Sequence, residues 1–336
     1  MSTALLEVEG LRVSFGSADS ERVAVDGVSL TVRTGQTVAL VGESGSGKSL
    51  TSLAVLKLTP PGSHASATVL RLAGDDLTGL TEDQMSSIRG RRIAMVFQNP
   101  MSALNPVLTI GHQITEVLRR HHGMRGCAAR DRAVEMLELV EMPDPHRRVH
   151  QYPHELSGGM RQRAMIAVAL TAGPDLLIAD EPTTALDVTL QAQVMDLLQR
   201  LQAELGMAVL LISHDLGVVA EAADEVNVMY AGRVVERADA RNLFRNPAHP
   251  YTQALLQTVR DLESPDTVDL APIPGAPPQL GQLPPGCSFA PRCPLVHDRC
   301  HDDKPVLRTV GPEHEAACHL ADPSTRGTVD DGKVLR

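Results

Sequence analysis

Over residues 5 to 42 apolar and polar positions alternate, as in "LLEVEGLRVSF" and "VSLTVRTGQTVALVG", and glycines break the runs. A side-chain period of two, punctuated by Gly, predicts short strands with one face buried. From Gly47 the spacing becomes helical and stays so to about Leu58. "RRIAMVF" at 91–97 is a further strand candidate, and between about 109 and 140 the period shifts towards helices. "LLIAD" at 176–180 and "MAVLLIS" at 207–213 are short continuous apolar runs. Such runs belong to strands buried on both faces of a parallel sheet. With helical segments between them, the pattern predicts an α/β core with right-handed crossovers. After about residue 260 the character changes. "LAPIPGAPPQLGQLPPG" is too rich in Pro and Gly for regular elements, and "PSTRGTVDDGKVLR" reads as a loose tail.

Composition narrows this picture. At 336 residues the chain exceeds what one hydrophobic core usually serves, which predicts two units or one large domain with an appendage. Aromatic residues are scarce, with 4 Phe, 3 Tyr and no Trp, so a function that needs a flat ring has few candidates. Phe15 is the foremost of them. A net charge of -10 disfavours phosphate backbones and anionic lipid surfaces, so no nucleic-acid partner is expected. No stretch approaches the roughly 18 consecutive apolar residues of a membrane-spanning helix, and "MSTALLEVEG" lacks the basic start and apolar middle of a signal peptide. The expectation is a cytosolic chain whose membrane role, if it has one, comes through a protein partner.

The chemistry starts at "GESGSGKS". Residues 42–49 fit G-x-x-x-x-G-K-[ST] between a strand and a helix, the context that motif requires. Glycines let backbone N–H groups converge on phosphate oxygens, and a helix N-terminus adds about half a positive charge. The candidate phosphate site is Gly42, Glu43, Ser44, Gly45, Ser46, Gly47, Lys48, Ser49 and Leu50, with the Ser49 hydroxyl available to Mg²⁺. A flexible turn before a helix is the plain alternative. In "LLIADEPTTALD", Asp180 stands where the apolar run stops and can hold Mg²⁺, while Glu181 can orient or deprotonate an attacking water. Asp-Glu-Pro at a strand end is also an ordinary helix start. "LSGGMRQR" places Ser157, Gly158 and Gly159 at a second helix N-terminus that could face an anion, and alone it is a common cap.

Together, and in this order, these motifs resemble the nucleotide-binding subunit of an ABC transporter over roughly residues 5 to 260. The resemblance assigns Gly42 to Ser49 as the Walker A loop, Gln98 in "FQNPMSALNP" as the Q-loop glutamine and "LSGGMRQR" as the signature. Walker B ends at Asp180 with Glu181 after it, Asp187 is the D-loop aspartate, and His214 in "LISHD" is the switch histidine. It implies a P-loop NTPase core of the ABC type with an antiparallel β subdomain, a helical subdomain at about 100–172 and an irregular Cys-containing C-terminal extension. The corresponding division is 1–260, 261–322 and a disordered tail at 323–336.

The implied mechanism is a head-to-tail pair of ATPase subunits. Lys48, Ser49 and Gln98 of one hold Mg²⁺ and ATP, and Ser157 and Gly159 of the other close over them. Glu181 and His214 act on the water, and Asp187 communicates across the interface. Phe15 matches the aromatic that stacks on adenine, with filling of a core gap as its alternative. "NPAHPYTQALL" and "PIPGAPP" resemble the C-terminal extension of ATPases that energise dipeptide, oligopeptide and nickel importers. The implied partners are a second, non-identical ATPase, two membrane permeases and an extracytoplasmic solute-binding protein, with this chain on the cytoplasmic face of the membrane. The rival readings are a soluble ABC ATPase acting on nucleic acid and an exporter subunit.

A cysteine cluster lies beyond the ATP motifs, spaced Cys287-x5-Cys293-x6-Cys300-x17-Cys318. A reducing cytosol disfavours disulfides, and the C-x2-4-C pair that usually opens a zinc site is missing. Four thiolates would also suit a [4Fe–4S] cluster, and His297 and His319 keep mixed zinc ligation open. Spacing does not separate these. The peptide-importer resemblance implies [4Fe–4S], with Zn²⁺ as the alternative, in a structural knot rather than a redox catalyst. Cys127 is expected to be a small buried residue, and the neighbouring His121 and His122 a solvated helix end.

Overall fold

The computed structural model describes residues 3–17, 20–184, 186–263 and 273–321. The tail expected at 323–336 lies outside the described residues. Two sheets organise the molecule. In the smaller one, β1 (Ala4–Phe15) pairs antiparallel with β2 (Arg22–Arg33) on one edge. Its other edge pairs with β4 (Ser63–Ser66) and β5 (Val69–Leu72), which continues into β6 (Asp75–Asp76). The alternation in β1 resets at Gly10, where the register shifts between Val8 and Leu11, so Leu6, Val8, Leu11 and Val13 all reach the interior.

The larger sheet has the order β12 (Arg308–Gly311), β13 (His314–Ala316), β11 (Arg233–Asp239), β10 (Glu225–Tyr230), β3 (Thr37–Val41), β9 (Ala208–Ser213), β8 (Leu176–Asp180), β7 (Ile93–Val96). Its middle is parallel, from β10 through β3, β9 and β8 to β7. The two continuous apolar runs of the sequence are β8 and β9, buried along their whole length. Period-two alternation still shows in what each face meets. Val38, Leu40, Leu176, Ile178, Leu210 and Ile212 share a core with the antiparallel sheet and the helix Lys48–Val55. Ala39, Val41, Leu177, Ala179, Val209 and Leu211 belong to a second core, made with the helices on the other side.

That second core extends into a helical lobe. The helices Ile110–His122, Gly126–Leu139 and Gly158–Leu170 place Ile114, Leu118, Ala133, Met136, Leu137, Ala164 and Ala167 in it. Thr109 starts the first of these by accepting from the His112 N–H at 3.2 Å, and Gly123 ends it with φ 68°. Cys127 lies on the second and is exposed, contrary to the expectation of a buried residue. The reason is helical phase: Ala129, Ala133, Met136 and Leu137 form the buried face, and Cys127 falls outside their spacing.

Residues 273–289 contain neither helix nor strand, as their Pro and Gly content predicts. The chain regains order afterwards. β11 (Arg233–Asp239), antiparallel to β10, pairs with β13 (His314–Ala316), which pairs with β12 (Arg308–Gly311). The C-terminal extension is thus not irregular throughout, because its end adds a hairpin to the edge of the main sheet. Such short strands have little local preference, and their shape comes from the edge they join. No described helix is long and apolar enough to cross a membrane.

Candidate functional site

Open α/β sheets form ligand crevices outside the carboxyl ends of their strands, and the candidate residues collect there. β3 leads through 42–47 into the helix Lys48–Val55, β8 ends at Asp180, His214 follows β9, and Gln98 stands two residues beyond β7. Since β3, β9, β8 and β7 are successive neighbours, four segments far apart in sequence come to lie side by side.

The phosphate loop is wound tightly against the sheet. Gly42 has φ 152°, and a Cβ there would lie 2.1 Å from the Met229 carbonyl oxygen. Gly47 has φ 102°, and its Cβ would meet the Ala24 carbonyl oxygen at 3.0 Å. Only glycine allows this path. Lys48 Nζ donates to the carbonyls of Gly42 at 2.7 Å and Glu43 at 3.0 Å, so its ammonium is held within the loop. Burial lowers the Lys48 pKa, against the pull of Glu181, Asp180 and Glu43. Ser46 Oγ is buried without a hydrogen-bond partner among the described residues.

A cavity of about 700 Å³ opens over this loop, lined by Ser44, Gly45, Gly47, Lys48, Ser49, Leu50, Gln98 and Glu181. Gly42, Glu43 and Ser46 do not line it. Gly42 and Ser46 are buried, and the Glu43 carboxylate is taken by Arg292, at 2.7 and 3.0 Å. Ser49 Oγ donates to Asp180 Oδ1 at 2.9 Å. A hydroxyl and a carboxylate beside a phosphate cradle are the hard oxygen donors Mg²⁺ takes, so these residues fit a magnesium nucleotide. Burial pushes the Asp180 carboxyl up, opposed by the Ser49 hydrogen bond, and Glu181 raises it further.

Glu181 is the hub of a side-chain cluster beside the loop. Its backbone has φ 47°, a left-handed conformation that costs a bulky residue about 1–3 kcal/mol and that collects at active sites. Its N–H donates to Ile212 O at 2.9 Å, fixing the turn to β9. Its carboxylate accepts from Gln98 Nε2 at 2.6 Å and from Thr184 Oγ1 at 2.9 Å, and lies 3.3 Å from His214 Nδ1. A carboxylate so fixed beside a cradle can orient a water and take its proton.

The remaining nucleotide candidates lie elsewhere on this chain. Ser157 caps the helix Gly158–Leu170, accepting from Met160 N–H at 3.4 Å, and Asp187 caps Val188–Leu205, accepting from Leu190 N–H at 3.0 Å. Ser157, Gly158 and Asp187 are exposed, and Gly159 is buried against Leu190. Phe15 is half-buried at the end of β1 and does not line the cavity, whose wall on that side is Val23 and Ala24.

The structure draws four cysteines together. Cys287 N–H donates to Cys300 O at 2.8 Å, and Cys293 and Cys318 interact electrostatically with each other and with both of these. Burial pushes the Cys293 and Cys318 thiols up to about 11 and raises Cys287. The expected ligand set is nevertheless not formed, since among the described residues no three Cys, His, Asp or Glu side chains converge as metal ligands, His297 and His319 included.

Sequence reasoning did not single out Thr184, Tyr251 or Arg292. Tyr251 OH accepts from the Glu43 N–H at 2.8 Å, and its ring lies 4.6 Å from Tyr230 and 5.4 Å from Phe289. The scarcity of aromatics was the available signal. Three of the few stand in one cluster behind the phosphate loop.

Comparison with known proteins agrees with this geometry. The ABC transporter family model matches residues 25–184, and the model for the oligopeptide/dipeptide transporter C-terminal region matches 235–300. The oligopeptide transport ATP-binding protein OppD of Mycobacterium tuberculosis (strain ATCC 25618 / H37Rv) is 53% identical over 315 residues, 94% of this chain. The chain spans about half the length of that relative, 51%. A peptide import ATP-binding protein of Brucella abortus (strain 2308) is 51% identical over 325 residues, covering 94% of this chain and 96% of its own. Among solved structures, the bacterial ABC transporter cassette MJ0796, a dimer bound to ADP and phosphate, aligns with TM-score 0.62 at 28% identity, over 70% of this chain and 99% of its own. CbiO1 from Clostridium perfringens, part of the ABC transporter complex cbiONQ, gives 0.61 at 25% identity, over 72% and 91%. A phosphate loop on β3, an acidic hub after β8 and a matching C-terminal region therefore have one explanation: the chain belongs to the ABC transporter ATP-binding family, in the branch with the oligopeptide/dipeptide transporter C-terminal region.

Proposed function

We propose that this chain is the ATP-hydrolysing subunit of an ABC importer for peptides. The observation that carries the reading is the convergence of Gln98, Thr184 and His214 on the Glu181 carboxylate, beside a phosphate loop whose Ser49 reaches Asp180. In this reading Lys48 and the N–H groups of 42–50 hold the phosphates of ATP, and Ser49, Asp180 and Gln98 hold Mg²⁺. When bound, the ion neutralises charge on the phosphate oxygens. Gln98 and His214 orient Glu181, which takes a proton from the attacking water.

Ser157, Gly158, Gly159 and Asp187 act on the ATP of a second ATPase packed head to tail, which the exposure of Ser157, Gly158 and Asp187 away from this chain's own cavity supports. That second subunit is a non-identical relative. Two permeases carry the pair at the cytoplasmic face of the membrane, and a solute-binding protein delivers the peptide. Residues 1–260 form the nucleotide-binding domain, with a helical subdomain at 100–172, and 261–322 form the extension. A [4Fe–4S] cluster on Cys287, Cys293, Cys300 and Cys318 rests on family resemblance, and its binding would have to draw the four thiols closer together than they stand here. Iron and labile sulfide after anaerobic purification test it, and stoichiometric zinc would replace it.

The deciding experiment is Glu181→Gln. It should bind MgATP as the wild type does and hydrolyse it at least about tenfold more slowly. Turnover at the wild-type rate would remove Glu181 from the role of base.

A further inference from the structure

The nucleotide site is tied to the C-terminal extension by a single side chain. Arg292, only 4% exposed, donates from Nη1 and Nη2 to both carboxylate oxygens of Glu43, at 2.7 and 3.0 Å. Glu43 is the second residue of the phosphate loop, and its own carbonyl oxygen accepts from Lys48 Nζ at 3.0 Å. Arg292 also donates from Nη1 to the Tyr230 hydroxyl at 3.4 Å and, within the extension, from Nη2 to Ile273 O at 3.2 Å and from Nε to Pro274 O at 3.0 Å. Three residues further on, the chain enters the nucleotide cavity. Pro277, Pro278, Gln279, Leu280 and Leu283 line it opposite the phosphate loop residues. Beneath the guanidinium lie Tyr230 and Phe289, with its carbon 5.9 and 6.0 Å from their ring centres.

Nothing in the local chemistry of the extension requires this arrangement. Carbonyls at 273 and 274 could face water, and Glu43 could stay solvated on an open loop. Instead a planar fork, matched in geometry to a carboxylate, is desolvated over an aromatic floor to join two segments that are 249 residues apart.

We propose that Arg292 is a positioning residue of the ATP site, holding the phosphate loop through Glu43 while fixing the 277–283 segment as a wall of the nucleotide cavity. This rests on the ATP-site reading above. The extension is thereby part of the site rather than an appendage to it, and nucleotide affinity depends on Arg292 although it does not line the cavity.

The test is calorimetric titration of the full-length chain with MgATP, wild type against Arg292→Gln, Arg292→Lys and the double variant Arg292→Gln/Glu43→Gln. Arg292→Gln leaves a charged Glu43 without its partner and should weaken MgATP binding about tenfold. Lysine keeps the charge but lacks the fork, and should lose about threefold. The double variant, in which neither charge remains, should bind more tightly than Arg292→Gln alone. A merely structural arginine would lower the unfolding midpoint and leave MgATP affinity unmoved. Affinities for Arg292→Gln and Arg292→Lys within about twofold of wild type would overturn the proposal. Should Arg292→Gln fail to fold, Arg292→Lys and the double variant decide on the same criterion. A wild-type chain that binds no MgATP would instead overturn the ATP-site reading itself.

Discussion

At the scale of single residues, the site depends on positions that tolerate no substitute for geometric reasons. Gly42→Ala would set a methyl group 2.1 Å from Met229 O, so the loop must move off the sheet. MgATP affinity should fall by at least about tenfold, measured by titration. His249 gives a different kind of test. It is buried, accepts from Tyr251 N–H at 3.0 Å and hydrogen-bonds the Ala317 backbone, and burial depresses its pKa to about 4. The unfolded chain takes up that proton near pH 6.5, before the folded one does. The neutral ring therefore contributes its full stability above pH 6.5, roughly 3 kcal/mol, and that contribution is lost as pH falls from there towards 4. Chemical unfolding across this window should show a proton uptake that His249→Gln reduces by up to one. An unchanged pH dependence would contradict it.

At the scale of elements, Glu236 of β11 joins pieces that local sequence leaves unconnected. Fully buried, its carboxylate accepts from Ala248 N–H at 2.6 Å, His249 N–H at 2.9 Å and His314 Nε2 at 2.7 Å. It thus holds the approach to the helix Pro250–Glu263 and pins β13 to the sheet edge. Glu236→Leu leaves those donors buried without an acceptor and should cost roughly 3 kcal/mol by urea titration. Elements of this kind mark the limit of what the sequence made legible. β8 and β9 were readable because a strand covered on both faces must be apolar throughout, and the phosphate loop because its glycines and lysine are consecutive. The hairpin of β12 and β13 was not, because a three-residue strand is defined by the edge it meets. Nor was the Glu43–Arg292 pair, since no periodicity links residues so far apart. Phe15 is a position where residue type alone says little: it stands at the end of β1, and the cavity wall there is made by Val23 and Ala24 of β2, whose course no local pattern sets.

At the scale of the whole molecule, one chain presents a complete phosphate loop and, on a separate helical lobe, an exposed capped helix start at Ser157. Two such molecules packed head to tail would complement each other. In the slow-hydrolysing Glu181→Gln background with its partner ATPase, MgATP should drive a shift from monomers to a dimer in sedimentation, and Ser157→Arg should abolish it. A dimer that survives the arginine would place the interface elsewhere.

The path of the extension also sets a timetable for biosynthesis. The phosphate loop is made 208 residues before its support Tyr251 and 249 before Arg292, and β13 joins the sheet only when residue 316 has left the ribosome. A nascent chain stalled before Cys287 carries every nucleotide motif, and Tyr251 behind the first of them, but lacks Phe289 and Arg292. The loop therefore acquires its full support only after the nucleotide motifs themselves have all been made.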